Sequence, residues 1–109
     1  MTTDMLKLAS LEAFEEMNKR DQITVYLFSA DWCPDCHFLE PFLPELLEKY
    51  KDYQFIYVDR DAFSDLCVDL MIMGIPSFVA FRNGEEINRF VSKLRKTKAE
   101  LDAFLGGLK

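Results

Sequence analysis

The chain has 109 residues, half of them hydrophobic and 14% aromatic, enough apolar surface for one domain with a core that needs no cross-links. Thirteen basic against nineteen acidic residues give a net charge of −6, which argues against nucleic acid or an anionic membrane as partner, because phosphate binding needs clustered Lys and Arg. No apolar run approaches the ~20 residues that span a bilayer, and Met1-Thr2-Thr3-Asp4-Met5 shows no basic stretch leading into an apolar one, so neither a membrane segment nor a secretory signal is expected.

Met5 to Ala9 reads as a short strand. Ser10 is placed to cap a helix in which Leu11, Phe14 and Met17 recur on one face. Ile23 to Ser29 is too uniformly apolar for a strand with one wet side, so it is expected in the centre of a sheet, buried on both faces. Ala30-Asp31-Trp32-Cys33-Pro34-Asp35-Cys36 follows. From Cys36 onward Leu39, Phe42, Leu43, Leu46, Leu47 and Tyr50 keep helical spacing, and Pro41 and Pro44 inside that run predict a kink near residue 40. Phe55 to Val58 is a second buried strand, closed by Asp59 to Asp61, and a short helix is expected over Ala62 to Leu70. Ser77 to Arg82 and Glu86 to Val91 flank Asn83-Gly84, a type I′ hairpin signal. Lys93, Arg95, Lys96 and Lys98 are the one basic cluster, expected as a solvated loop. Thr97-Lys98-Ala99-Glu100 matches a capping box, and Leu101, Phe104, Leu105 and Leu108 stripe a last helix that frays at Gly106-Gly107.

The sum is β-α-β-α-β followed by a hairpin and a helix, without repeats or linkers. Parallel strands joined by helices, then an antiparallel edge, make an α/β domain over residues 1–109: a central mixed sheet with helices on both faces.

Three cysteines, an odd number, do not suggest a secreted disulfide framework. The expected compartment is the reducing cytoplasm, where a Cys pair is catalytic or metal-binding. Cys33 and Cys36 stand at a strand-to-helix junction, where the helix dipole stabilises a thiolate. Cys33 is expected to be the outer, exposed thiol and Cys36 to lie one helical turn further in. Cys33 would then attack a substrate disulfide, and Cys36 would attack Cys33 to release the reduced product. Pro34 suits the first helical turn, where no amide hydrogen bond is lost. Asp35 sets a carboxylate between the thiols, where negative charge opposes a thiolate or passes a proton to Cys36.

Trp32, Cys33 and Cys36, Pro41 five residues on, Asp59, Gly74-Ile75-Pro76 and Asn83-Gly84 together resemble the thioredoxin family over nearly the whole chain. The resemblance implies a thioredoxin fold and a protein-disulfide reductase that needs no bound cofactor. It implies disulfide-containing protein substrates, a thioredoxin reductase as electron donor, and a monomer. It also implies a cis Ile75-Pro76 bond beside the dithiol. Trp32, Pro34, Ile75 and Pro76 are then the docking surface, with the exposed indole giving contact area and the Ile75 backbone pairing with an extended substrate.

The sequence also departs from the family. Leu27, six residues before Cys33, stands where such reductases commonly bury an Asp, and Phe55 stands where a Lys is often found. The segment Ser92-Lys93-Leu94-Arg95-Lys96 replaces a glycine loop of the docking surface. These departures keep a second class open: a binding or scaffold module of the same fold with little redox turnover. Cys33-Pro34-Asp35-Cys36-His37 also spells a c-type haem attachment pattern, but the strand-helix context opposes it. A zinc site from Cys33, Cys36, Cys67 and His37 is disfavoured because adjacent Cys36 and His37 cannot easily face one ion. His37 is expected on the surface, and Cys67 as a small apolar core residue.

Overall fold

A computed structural model describes residues 5–91 and 94–109. The N-terminal residues before Met5, and Lys93 of the basic cluster with its neighbour Ser92, lie outside the described residues. The elements are β1 (Leu6–Lys7), α1 (Leu11–Asn18), β2 (Thr24–Ser29), α2 (Pro34–Leu39), α3 (Leu43–Lys49), β3 (Gln54–Asp59), α4 (Ser64–Asp69), β4 (Ser77–Arg82), β5 (Glu85–Phe90) and α5 (Lys98–Gly106). One five-stranded sheet runs β1-β3-β2-β4-β5. β1 and β2 pair parallel with β3, whereas β4 pairs antiparallel with both β2 and β5.

All six residues of β2 are buried. Its central place explains the uniform apolarity, since successive side chains enter opposite cores. Val25 and Leu27 join Leu39, Leu43, Phe78, Leu101 and Leu105 on one face. Tyr26 and Phe28 join Phe14, Ile56, Val58, Leu66, Cys67 and Val79 on the other. Tyr26 is fully buried and its hydroxyl donates to Asn18 Oδ1 at 2.6 Å, so the one polar atom of a large core side chain is satisfied.

The expected kink is a 3₁₀ turn over Glu40–Phe42 that separates α2 from α3. Pro41 lacks the amide that a continuous α-helix would use there. Asn83 and Gly84 take φ of 53° and 83°, the positive values a type I′ turn demands. Thr97 and Glu100 form the reciprocal capping box of α5. Two expected elements are shorter than their patterns. The first strand is confined to Leu6–Lys7, and the helix after Asp61 to Ser64–Asp69.

Candidate active site

Three strand ends meet at one point. β3 runs parallel to β2, so Asp59 lies opposite Ser29 at their C-terminal ends. β4 runs the other way, so its first residue, Ser77, pairs with Phe28. The chain leaving β2 into the Cys-Pro-Asp-Cys turn therefore passes beside the chain entering β4, which carries the cis Ile75–Pro76 bond. Antiparallel pairing of one strand thus brings residues some forty positions apart to the dithiol.

Cys33 is the N-cap of α2, with extended backbone, and Pro34 takes the first helical position. The Cys36 amide donates to Cys33 Sγ at 3.3 Å, and the Cys33 thiol donates to the Ile75 carbonyl at 3.7 Å. The nucleophile candidate thus caps the helix that carries its mate. Both cysteines are free thiols. The expected contrast in exposure is corrected: Cys33 is 5% and Cys36 4% exposed, because the Ile75 loop packs over both. Cys33 sits at the edge of this small cluster, between exposed Trp32 and Pro34.

Burial pushes the Cys36 thiol up to about 12, and its hydrogen bond with Cys33 pushes the same way. A hydrogen bond from Ser29 partly opposes the rise by favouring the thiolate. Beneath Cys36 a small cavity is lined by Leu27, Ser29, Glu40, Tyr57 and Pro76. Burial also raises the Tyr57 phenol, against a hydrogen bond with Ser29. Ser29 thus contacts the inner thiol in a strand whose earlier position, Leu27, supplies no acid.

Trp32 is 61% exposed, and its indole N–H donates to Asp61 Oδ2 at 2.7 Å. Asp61 is in turn held by its own amide on Asp59 Oδ1, at 2.9 Å. Asp35 does not stand free between the thiols: Arg95 Nε donates to its Oδ1 at 3.0 Å. His37 lies on the surface, with Nδ1 2.8 Å from Glu40 Oε1 and Nε2 against the Asp31 carbonyl. Cys67 is buried in the core on the α1/α4 side of the sheet, and burial raises its thiol.

The solvated basic loop is the second correction. Arg95 is committed to Asp35, and Lys96 is 1% exposed while Leu94 next to it is 77% exposed. The contacts of Ser29 with Cys36, of Asp61 with Trp32 and of Arg95 with Asp35, and the burial of Lys96 beside Arg95, are what the sequence reading missed. Ser29 was within reach, since a period of two places it on the same face of β2 as Leu27. Asp61, Arg95 and Lys96 come from loops that carry no such period.

A sequence model described as Thioredoxin matches residues 5–106. The chain belongs to the thioredoxin family. Among similar proteins, "Thioredoxin-2, mitochondrial" of Schizosaccharomyces pombe is 39% identical over 98 residues, spanning 87% of this chain and 74% of that one. Thioredoxin of Mus musculus is 35% identical over 99 residues, spanning 88% and 93%. The structure of oxidised mitochondrial thioredoxin 3 from Saccharomyces cerevisiae superposes with a TM-score of 0.85 at 26% identity, covering 96% of each chain. Trypanosoma brucei brucei thioredoxin superposes at 0.86 with 21% identity, covering 99% and 93%, a likeness of fold. This thioredoxin-fold protein is a thiol-disulfide oxidoreductase, and family membership disfavours the reading as a non-catalytic module.

Proposed function

We propose that the protein reduces disulfides in other proteins with Cys33 as nucleophile and Cys36 as resolving thiol. The Cys33 thiolate attacks one substrate sulfur, a mixed disulfide forms, and the other substrate sulfur leaves as a thiolate that takes up a proton. Cys36 then gives up its proton and attacks Cys33 Sγ. The Cys33–Cys36 bond forms, the Cys33–substrate bond breaks, and the second substrate sulfur leaves with the electron pair. The observation that carries this order is the hydrogen bond from the Cys36 amide to Cys33 Sγ at 3.3 Å. It ties the two residues together at the helix start, where donors and the dipole favour negative charge on Cys33.

Trp32, Pro34 and Ile75 form the docking surface in this reading, and Pro76, expected to share it, is buried behind them in the lining of the cavity beneath Cys36. The free edge of the 74–76 segment receives an extended substrate backbone, and the exposed indole, braced by Asp61, covers its side chains. Asp35 shapes the field at the dithiol; its engagement with Arg95 favours that role over carrying a proton to Cys36. The electron donor is a thioredoxin reductase, and the working unit is a monomeric single domain over residues 1–109. A reducing compartment suits free thiols. The cytoplasm follows from the cysteine usage, and the mitochondrial names of similar thioredoxins make the matrix the alternative.

Dithiothreitol-coupled insulin reduction tests the activity. Wild type should accelerate it and Cys33→Ser should not. With dithiothreitol left out and the protein pre-reduced, Cys36→Ser should accumulate a mixed disulfide with the insulin chain at Cys33. Equal turnover by Cys33→Ser and wild type, or trapping by Cys33→Ser in place of Cys36→Ser, would reverse the assignment.

A further inference from the structure

Among the described residues, Lys96 is the only charged side chain in the interior. A lysine there is costly unless its ammonium has compensation. Lys96 Nζ donates to the Leu94 carbonyl at 3.4 Å and stands 5.3 Å from the centre of the Phe90 ring. Phe90 ends a row of paired residues, Tyr57–Leu27–Phe78–Phe90, that crosses the sheet on one face. The cavity beneath Cys36 touches Leu27 and Tyr57 of that same row. The thiol and the ammonium therefore lie on one side of the sheet, under α2.

The neighbouring residue fixes this placement. Arg95 reaches Asp35 at 3.0 Å and lies 4.6 Å from the centre of the Phe38 ring, pinning the loop to the outside of α2 while Lys96 turns inward. The groups whose charges act on Lys96 are Cys36, Asp35 and Cys33 from the dithiol turn and helix, and Glu100 from α5. Asp35 is already engaged by Arg95, and Glu100 by the Thr97 cap. Burial lowers the Lys96 ammonium, and of the negative charges that hold it up, that of Cys36 is the largest. Coulombic attraction is mutual, so what Cys36 does for Lys96, Lys96 does for Cys36.

We propose that Lys96 is a positioning residue for the resolving step: its ammonium, held beneath the dithiol helix against the Phe90 ring, stabilises the Cys36 thiolate that attacks the Cys33–substrate disulfide. It supplies from the loop before α5 a charge that β2, with Leu27 at the corresponding face, does not supply. The proposal rests on Cys36 as the resolving thiol. Lys96 does not enter the electron balance. Cys36 loses its proton to solvent, the Cys33–Cys36 bond forms as the Cys33–substrate bond breaks, and the departing substrate sulfur is protonated from water. The oxidised pair is returned to two thiols by dithiothreitol.

The two sulfurs can be read separately with the chromogenic disulfide dithiobis-nitrobenzoate. Attack by Cys33 releases one thionitrobenzoate, and resolution by Cys36 releases a second. Lys96→Met keeps the apolar stem and removes the charge; Lys96→Arg keeps the charge. Loss of a nearby cation should raise the Cys36 titration by about one unit, a tenfold loss of thiolate at a given pH. The more basic thiolate is about threefold more nucleophilic, so the net slowing is about threefold. In Lys96→Met the second phase should slow about threefold at neutral pH and its whole pH profile should move up by about one unit. The first phase should change less than the second, because Cys33 feels the ammonium more weakly than Cys36, and Lys96→Arg should track wild type. A second-phase profile in Lys96→Met that coincides with wild type overturns the proposal.

Should Lys96→Met fail to fold, the wild type itself answers. The carbon resonance next to Lys96 Nζ should report the ionisation of Cys36 in the reduced protein, and that inflection should vanish in Cys36→Ser. Identical titrations in both would equally overturn the role of Lys96. A second phase that persists in Cys36→Ser would instead strike at Cys36 as the resolving thiol.

Discussion

Under the proposed order of attack, Cys33 uses one sulfur for two tasks, as the attacking atom and as the N-cap of a helix only six residues long. A short helix depends on its cap, and replacing a capping side chain by alanine costs ~1 kcal/mol. Cys33→Ser should therefore match or exceed the stability of the reduced wild type, since a hydroxyl is the better cap. Cys33→Ala should fall ~1 kcal/mol below Cys33→Ser in urea unfolding, and equal midpoints for the two would remove the capping role. Cys36 predicts a different dependence. Its folded-state value, about 12, lies above the ordinary 9, so the unfolded chain gives up the proton first. This contribution is fully present below pH 9 and is lost as pH rises towards 12. Its steepest slope is about 1.4 kcal/mol per pH unit, an upper bound because the site can relax and admit water. Under reducing conditions, wild type should lose stability faster than Cys36→Ala above pH 9. The tyrosines and Cys67, whose burial shifts them the same way, affect both proteins alike and cancel in the difference. Parallel stability curves would mean that Cys36 titrates as an ordinary thiol.

Elements with a hydrophobic period were legible, and those fixed by contacts across the fold were not. β2 and β3 announced themselves because a central strand buries both faces, and α2 and α3 because their prolines break one continuous helical stripe. The docking of residues 94–96 inverts hydropathy: Leu94 faces solvent and Lys96 the interior. A composition rule cannot find that inversion, because Arg95 sets it by anchoring to Asp35 sixty positions away. The β4–β5 turn shows the opposite case, where local chemistry decided. Asn83 and Gly84 supply the positive φ values, and their amides also donate to the Arg20 and Asn18 carbonyls beyond and at the end of α1, at 2.8 and 2.6 Å. A Cβ at Gly84 would meet nothing within 4 Å, so Gly84→Ala is a test of backbone conformation alone. At φ of 83° it should cost about 1–2 kcal/mol in chemical denaturation. The turn lies at the end of β4 away from the dithiol, so insulin reduction per folded molecule should stay at the wild-type rate. A neutral effect on stability would show that the turn relaxes out of the left-handed region.

At the scale of the molecule, charge is distributed unevenly around the dithiol. The chain carries a net −6, and among the described residues the rim of the site holds more acids than bases. Among the described residues, Asp31, Asp59 and Asp61 are exposed there, Asp35 and Glu40 are half-buried, and Arg60 and Arg95 are the exposed cations beside them. Arg95 answers Asp35, and Arg60 lies 3.4 Å from Asp61. Glu40, whose carboxyl is held below its ordinary value, remains ionised through the neutral range. An incoming polypeptide therefore meets a negative field before it meets the sulfur. Such fields act on encounter and fade with salt, over a Debye length of about 10 Å at 0.1 M and about 3 Å at 1 M. Two peptides with the same disulfide loop but lysine-rich or glutamate-rich flanks should therefore be reduced at different rates at low ionic strength, the lysine-rich one severalfold faster. The difference should appear in kcat/KM, leave kcat little changed, and shrink towards unity as salt approaches 1 M. A small neutral disulfide measured alongside should show no salt dependence. A preference that survives high salt would have to come from contacts with the Trp32 and Ile75 surface, and the acidic rim would then have no part in choosing substrates.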